Sequence, residues 1–252
     1  MRMRRRSFLS AAVAVTGVVT GCGSDQRPVS AHRRPAATGG PATTRSPAEA
    51  PPKPREIVHG PRKRREVALT FHGSGDPAVA RRVLAAAAAS GARITVMAVG
   101  VWLGSRPEMA RLILAGGHEL GNHTQHHADI NAMDETAAHE EITQCAERLR
   151  RLTGDIGTWF RPSQTPHANS AVRALAARAG YRGCLSYDVD SLDFTDPGPD
   201  AVVRNVLDAA RGGSIVSLHL GHPGTAAAMP ALLDGLRRAR LRPVTVSTLL
   251  RP

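Results

Sequence analysis

The sequence is poor in aromatic residues and in cysteine, and it has no long hydrophobic run. Aromatic side chains make up 3% of its 252 residues, so few rings are available to stack on nucleic-acid bases or on sugars. Its three cysteines form no CxxC pair, which excludes the common thiolate zinc motifs. The apolar run at residues 11–20 is too short to cross a membrane. These absences argue against a nucleic-acid-binding protein and against a membrane-spanning one.

The first 22 residues have the features of an export signal. The run from Arg5 to Leu9 fits a twin-arginine signal, and the run from Val19 to Cys22 resembles a lipobox. A lipid on Cys22 would anchor the exported protein to the outer face of a bacterial membrane as a lipoprotein. The alternative is a secretory signal that is cleaved nearby without lipidation.

Residues 23–62 are expected to form a disordered linker, which leaves residues 63–252 as the folded domain. Proline, alanine, threonine, arginine and glycine dominate the linker, and no apolar period appears in it. The formal net charge of +12 also belongs mainly to the first 66 residues, because residues 67–252 hold 19 Lys/Arg against 17 Asp/Glu. Attraction to an anionic lipid or wall polymer is therefore expected, and nucleic acid is not.

From residue 66 onward, short apolar strands alternate with helices. The pattern predicts about seven strands, at residues 67–71, 94–99, 118–120, 158–160, 183–189, 215–220 and 244–246, with the longest helix at 135–152. This alternation is typical of a parallel α/β fold. Polar residues follow successive strands, which favours a barrel whose strand ends converge on one site. These residues are His72, Asp76, the cluster His123–His127, Arg161, the stretch Asp188–Asp193, His219 and His222.

The cluster Gly121–His127 places three imidazoles within five residues. On one helical turn His123 and His127, four residues apart, would face the same way. This spacing suits two ligands of one divalent metal, and imidazole is a common ligand for zinc. His126 would point off that face into solvent.

Five short blocks follow one another in the globular part, at Leu69–Gly73, His123–His127, Phe160–Pro162, Asp190–Phe194 and Leu218–His219. In their residue types and in their order along the chain, these blocks resemble the motifs of the polysaccharide deacetylases, the carbohydrate esterase family with the NodB-homology domain. The resemblance covers about residues 67–249. It implies an α/β fold, a distorted (β/α) barrel with about seven parallel strands, and metal-dependent hydrolysis of an acetamide or acetyl ester on a sugar.

The resemblance also implies roles for individual residues. His123 and His127 look like two metal ligands, and His219 looks like the general acid. Asp193 would hydrogen-bond His219 and favour its cationic form. Arg161 would orient the catalytic carboxylate or the substrate. The cofactor would be a divalent metal ion, and the imidazoles favour Zn²⁺.

The first block departs from the family pattern, because His72 and Gly73 stand where the family has two aspartates, a base and a metal ligand. Two arrangements remain open. In one, His72 is the base and Asp76 completes an Asp-His-His metal site. In the other, His72 joins His123 and His127 in a three-histidine site, and Asp76 is the base beside Arg161. Asp76 before a proline is also typical of a helix N-cap.

We therefore expect an exported, membrane-anchored monomer that hydrolyses carbon–nitrogen bonds other than peptide bonds. It would remove acetyl groups from an N- or O-acetylated cell-envelope or extracellular glycan. The alternative is a catalytically inactive glycan-binding lipoprotein on the same fold, which the loss of both carboxylates favours. Cys145 and Cys184 lie in apolar segments and are expected to be two separate buried thiols, although the sequence leaves a disulfide between them open.

Overall fold

The structure, a computed structural model, describes residues 55–252. The predicted export signal, Cys22 and residues 23–54 of the predicted linker lie outside the described residues. The strands are β1 (Glu56–Ile57), β2 (Glu66–Gly73), β3 (Thr95–Ala98), β4 (Glu119–Asn122), β5 (Trp159–Phe160), β6 (Gly183–Leu185), β7 (Val189–Asp190), β8 (Ile215–His219) and β9 (Arg242–Pro243). The helices are α1 (Pro77–Ala89), α2 (Gly100–Ser105), α3 (Pro107–Ala115), α4 (Glu135–Thr153), α5 (Ser170–Arg178), α6 (Pro199–Ala209), α7 (Pro223–Arg238) and α8 (Val246–Leu249). Short 3-10 turns lie at Ile130–Ala132 and Asp193–Thr195.

The strands form one parallel sheet in the order β1-β6-β5-β4-β3-β2-β8-β7, with β9 paired to the start of β2. The sheet curls into an incomplete barrel with helices outside it, and the predicted distorted (β/α) barrel is confirmed. There are nine described strands rather than about seven. One of the two additional strands arises because the expected strand at 183–189 is interrupted and forms β6 and β7.

The other additional strand, β1, corrects the expected end of the linker. Glu56 pairs with Cys184 of β6, and His59 bridges to Ser214, so the folded domain begins before residue 62. A strand of two residues has no periodicity that a sequence pattern could reveal. The predicted last strand is also displaced: β9 ends at Pro243, and Val246 begins α8, whose first turn is capped by the Thr245 side chain.

Strand β2 divides its side chains between two environments, as a strand with a period of two must. Val67, Leu69 and Phe71 pack in the main core between sheet and helices. Ala68 faces the barrel interior, together with residues of β3, β5, β6 and β8. His72 continues this inner row at the carboxyl end of the strand, and this position brings it to the mouth of the barrel.

Helix α4 confirms the predicted apolar stripe. Ala138, Ile142, Cys145 and Leu149 are buried, the Asp134 side chain caps the first turn, and Gly154 ends the helix with a φ of 83°. The two described cysteines are free and buried, which confirms the expectation of separate thiols. Burial raises the pKa of each thiol to about 12. Within residues 55–252, no helix combines the length and the hydropathy needed to cross a membrane.

Candidate metal centre and acid–base pair

The centre is assembled where β2, β4 and β8 end. His72 and His219 are Cα partners in neighbouring parallel strands, so both side chains point to the barrel mouth. Their rings stack with centroids 4.2 Å apart and an interplanar angle of 23°. His123 directly follows β4, and its backbone N–H donates to the Ala98 carbonyl of β3 at 3.0 Å. The parallel sheet therefore brings together three residues that lie far apart in the chain.

Three imidazoles converge at this mouth. The ligand nitrogens of His72, His123 and His127 all lie within 4.8 Å of one another. His72 Nδ1 and His123 Nε2 lie 2.8 Å apart. Burial lowers the pKa of His72 and of His123 well below the usual value, and it lowers the pKa of His127 to a lesser degree. The three rings are therefore neutral near pH 7, which is the form that binds a metal.

The hydrogen-bond partners of the rings fit a metal in this position. His123 Nδ1 must donate to the Arg161 carbonyl, 3.0 Å away, and this leaves the lone pair of Nε2 directed at the cluster. His72 Nε2 lies 3.1 Å from the Ser217 hydroxyl. A proton held on Nε2 would donate to this hydroxyl and leave Nδ1 free as a ligand. The donor set is thus compatible with one divalent cation held by three nitrogens.

The segment after β4 is a loop, so the prediction of a single helical turn from His123 to His127 is wrong. Thr124 and His127 have φ values of 67° and 61°, in the left-handed region that few non-glycine residues adopt. The Thr124 hydroxyl holds this conformation, because it accepts the His127 N–H at 3.1 Å and contacts the Ser163 hydroxyl at 3.0 Å. Two left-handed residues thus turn His127 back toward His123.

Glu141 is a supporting residue that the sequence did not reveal. Its buried carboxylate accepts the His126 backbone N–H at 2.8 Å and contacts the His126 ring Nδ1 at 2.6 Å. The His126 ring, half exposed, is thereby turned away from the metal cluster, as the sequence predicted. Glu141 lies beside Ile142 on the buried stripe of α4, and a carboxylate on an apolar stripe is the signal that could have identified it.

We expect Glu141→Ala to weaken Zn²⁺ binding about 10-fold or more, because the loss of a group that orients metal ligands typically costs that much. The substitution leaves the His126 N–H without its acceptor and frees the loop that carries His127. Calorimetric titration of the metal-free protein with Zn²⁺ measures the effect. Glu140→Ala, at the exposed neighbouring position, is the matched control, and equal affinity in the two folded variants would refute the role of Glu141.

Asp193 and His219 form the predicted pair. His219 Nδ1 and backbone N–H each contact a different Asp193 oxygen at 2.7 Å, and Thr225 donates a further hydrogen bond to the carboxylate. Burial raises the pKa of Asp193, but the bonds from His219 and Thr225 outweigh it and hold this pKa below its usual value. Asp193 therefore remains a carboxylate that fixes the His219 ring, while the ring stays 21% exposed at the mouth.

Arg161 is buried beneath the cluster, and its guanidinium is incompletely paired. Nε donates to the Leu185 carbonyl and Nη2 to the Ser186 carbonyl, whereas Nη1 is buried and has no partner. Burial lowers the pKa of Arg161 to about 10. No carboxylate of the described chain forms an ion pair with Arg161. The resemblance predicts that Arg161 orients a catalytic carboxylate. That carboxylate is one of the two that are missing from the first block of this sequence.

Asp76 lies apart from the three histidines. It is exposed, and its Oδ1 accepts the Ala78 N–H at 2.8 Å as the N-cap of α1. The preceding Gly75, with a φ of 97°, packs so tightly against Gly221 that a Cβ there would lie 2.4 Å from the Gly221 Cα. Within residues 55–252, no hydrogen bond joins Asp76 to His72, so the structure brings His72 rather than Asp76 to the two predicted ligands.

The buried imidazoles predict that the metal-free protein loses stability as the pH falls. The folded-state pKa values of His72 and His123 lie well below the unfolded value near 6.5. The unfolded chain then binds more protons, so the free energy of unfolding decreases once the pH falls below about 6.5 and continues to decrease toward the folded-state values. Chemical denaturation of chelator-treated protein from about pH 7.5 to about pH 5 measures this effect. A free energy of unfolding that is constant over this range would contradict it.

Comparisons with known proteins identify the family of the chain. The family model described as polysaccharide deacetylase matches residues 59–184. The chain is 31% identical over 195 residues to the peptidoglycan-N-acetylglucosamine deacetylase of Bacillus cereus, covering 76% of this chain and 91% of that one. It is 32% identical over 168 residues to a chitooligosaccharide deacetylase of Bradyrhizobium sp., covering 63% and 72%. The crystal structure of a CE4 family pseudoenzyme from Bacillus anthracis shares the fold, with a TM-score of 0.74, 21% identity, and coverage of 79% of this chain and 69% of that one.

Proposed function

Because the chain belongs to the polysaccharide deacetylase family, we propose that it removes acetyl groups from an N- or O-acetylated glycan, either a cell-envelope or an extracellular polysaccharide. The predicted family is confirmed, and with it the class of a deacetylase-like hydrolase acting on carbon–nitrogen bonds other than peptide bonds. The observation that supports turnover is the cluster of three neutral imidazoles, in which the His72 ring stacks on His219, a histidine that a buried carboxylate fixes.

The proposed ligands are His72, His123 and His127, and the proposed ion is Zn²⁺. Imidazole nitrogens suit zinc better than magnesium or calcium, which prefer oxygen ligands, and three histidines leave an open position on a tetrahedral ion. A divalent cation at this position supplies Lewis acidity, which polarises an acetyl carbonyl and acidifies water. In this arrangement His72 is a ligand rather than a base.

His219 is then the group that moves protons. Its Nδ1–H is committed to Asp193, which leaves Nε2 at the open mouth as the atom that can accept and return a proton. We infer that Nε2 takes the proton of the attacking water and then gives it to the leaving nitrogen as the carbon–nitrogen bond breaks. Asp193 stabilises the imidazolium between the two transfers. One histidine would thereby perform both steps in a site whose first-block carboxylates are missing.

Acetate release tests this proposal. Full-length protein that has been treated with chelator and reloaded with Zn²⁺ is incubated with chitooligosaccharides and with peptidoglycan fragments. Release that depends on Zn²⁺ supports the enzyme. No release from either substrate with any of zinc, cobalt or nickel would contradict it.

The unpaired Nη1 of Arg161 favours a second candidate, a glycan-binding protein without turnover. A buried guanidinium without a carboxylate partner is costly, and in the family pattern that the sequence resembles an aspartate stands at the position of His72. This candidate predicts saturable binding of acetylated oligosaccharides with no acetate release under any metal. Acetate release that disappears in His219→Ala would exclude it.

The proposed location is the outer face of the bacterial membrane, with a lipid on Cys22 as the anchor. This proposal is supported by the twin-arginine run and the lipobox-like residues before Cys22. We expect Cys22→Ser to move the protein from the membrane fraction to the soluble exported fraction when the membranes are washed at high salt, which screens the attraction of arginines to anionic lipid. Retention of this variant in the salt-washed membrane fraction, with the signal cleaved, would argue against a lipid anchor.

A further inference from the structure

The end of the barrel opposite the metal centre carries a concentration of arginine. Strand β2 begins there at Glu66 and ends at the metal centre with His72, so the two ends are separated by the length of the strand. The opposite end is built from the segment before β2, the last turn of α7, β9 and the residues after α8. We refer to it as the basic face. Its seven arginines are Arg64, Arg65, Arg237, Arg238, Arg240, Arg242 and Arg251.

The basic face holds the excess charge of the domain. Its seven arginines are accompanied by two carboxylates, Glu66 and Asp234, which leaves +5. The described residues 55–252 contain 24 Lys/Arg and 19 Asp/Glu, which is also +5. The other charged residues of the described chain therefore sum to zero, so these nine residues carry a charge equal to the net charge of the domain.

The two carboxylates on the basic face do not neutralise it. Glu66 is buried and is shared by Arg242, Arg251 and, at 3.9 Å, Arg64. Asp234 is shared by Arg237 and Arg238. The side chains of Arg237 and Arg242 remain 77% and 68% exposed, so their charges face solvent.

A groove with an apolar floor opens in the same face. Its volume is about 710 Å³, and it lies between the last turns of α1 and α7. The floor is formed by alanines of α1 and by Pro230, Leu233 and Leu241, and the rim carries Arg237, Arg240 and Arg242 beside Asp234. Guanidinium groups around an apolar floor match a ligand with an anionic head and an apolar body.

We propose that the basic face docks onto an anionic lipid bilayer, with its groove receiving the glycerol and upper acyl region of a phospholipid. Arginines near an anionic leaflet are attracted to it, and the attraction falls off within a Debye length. An acidic polymer would satisfy the arginines, but it would leave the apolar floor exposed to water. Docking in this manner directs the metal centre away from the membrane. This inference does not depend on whether the centre is catalytic.

Vesicle binding tests the proposal. Full-length protein with Cys22→Ser, which cannot be lipidated at that residue, is mixed with vesicles containing phosphatidylglycerol or with vesicles of phosphatidylcholine alone. One variant replaces Arg65, Arg237 and Arg240 by glutamine, and the matched control replaces three exposed arginines elsewhere, Arg106, Arg111 and Arg204. Both retain the arginines of residues 1–54, so the comparison isolates the basic face.

We expect the basic-face variant to bind phosphatidylglycerol vesicles about 100-fold more weakly, because each arginine near an anionic surface contributes about 5-fold. The affinity of the control variant for these vesicles should fall less than about 10-fold, and added salt should reduce the difference in affinity between the two variants. Ala89→Glu, an exposed substitution at the groove, should weaken binding with the arginines intact. It also keeps the test decisive if the triple variant fails to fold.

Two outcomes would overturn the proposal. One is an equal loss of vesicle binding in the basic-face variant and its control, which would mean that only total charge matters. The other is a basic-face variant that binds the vesicles normally but no longer binds a soluble polyanion such as dextran sulfate. That result would identify the face as a polymer site rather than a lipid site.

Discussion

His123→Ala is expected to abolish metal-dependent acetate release, with a loss of about 1,000-fold or more, while the fold is retained. His123 is fully buried, and the Arg161 carbonyl fixes its ring so that Nε2 points into the cluster. Its removal leaves two imidazoles, which cannot hold the ion with comparable affinity, and Lewis-acid assistance worth several kcal/mol is lost with the ion. Acetate release from chitooligosaccharides, at a Zn²⁺ concentration just sufficient to saturate the wild-type protein, measures the effect.

The matched control for this prediction is His126→Ala. His126 lies in the same loop, but its half-exposed ring contacts Glu141 rather than the cluster. Its loss should change turnover less than about 10-fold, since it disturbs the loop without removing a ligand. Wild-type turnover in a folded His123→Ala protein would show that the histidine cluster is not the reaction centre.

His219→Ala is expected to lower kcat by about 100- to 10,000-fold without loss of zinc, because a positioned general acid–base group contributes that much. His219 stacks on His72 but is not among the converging ligand nitrogens. Asp193→Asn should lower kcat as well, since the carboxylate that fixes the imidazole becomes an amide. Steady-state kinetics and metal analysis of the same samples separate the acid–base role from metal binding.

His222→Ala is the control for His219. His222 lies on the rim with its ring 5.6 Å from that of His219, and Asp196 contacts it at 2.8 Å. Removing it should leave kcat within a few-fold of the wild-type value. If His219→Ala loses zinc together with activity, His219 would have to be reinterpreted as a ligand.

The sequence alone was sufficient to predict the features that depend on local or periodic residue patterns. The apolar stripe of α4 and its cap at Asp134 follow from spacing alone. The pairing of Asp193 with His219 was expected from the resemblance to the polysaccharide deacetylases, and the parallel register of β8 with β2 then brings His219 onto His72. The polar residues at successive strand ends therefore predicted that His72, His123 and His219 lie close together at one mouth.

The remaining features depend on backbone conformations that a residue pattern does not encode. The left-handed conformations of Thr124 and His127 replace the expected helical turn, and they are maintained by contacts with residues distant in sequence, such as Ser163. The choice between His72 and Asp76 depended on the path of the loop after β2. The close approach of Gly75 to Gly221 helps to fix this path, and it leaves Asp76 as a helix cap.

The zinc content of His72→Ala, beside that of the wild-type protein, tests the central claim most directly, because it requires no assumption about the substrate. A three-histidine centre predicts about one zinc per wild-type chain and a Zn²⁺ affinity that falls at least about 100-fold in folded His72→Ala. Wild-type zinc content and affinity in that variant would contradict the three-histidine centre and would return Asp76 to consideration as the third ligand.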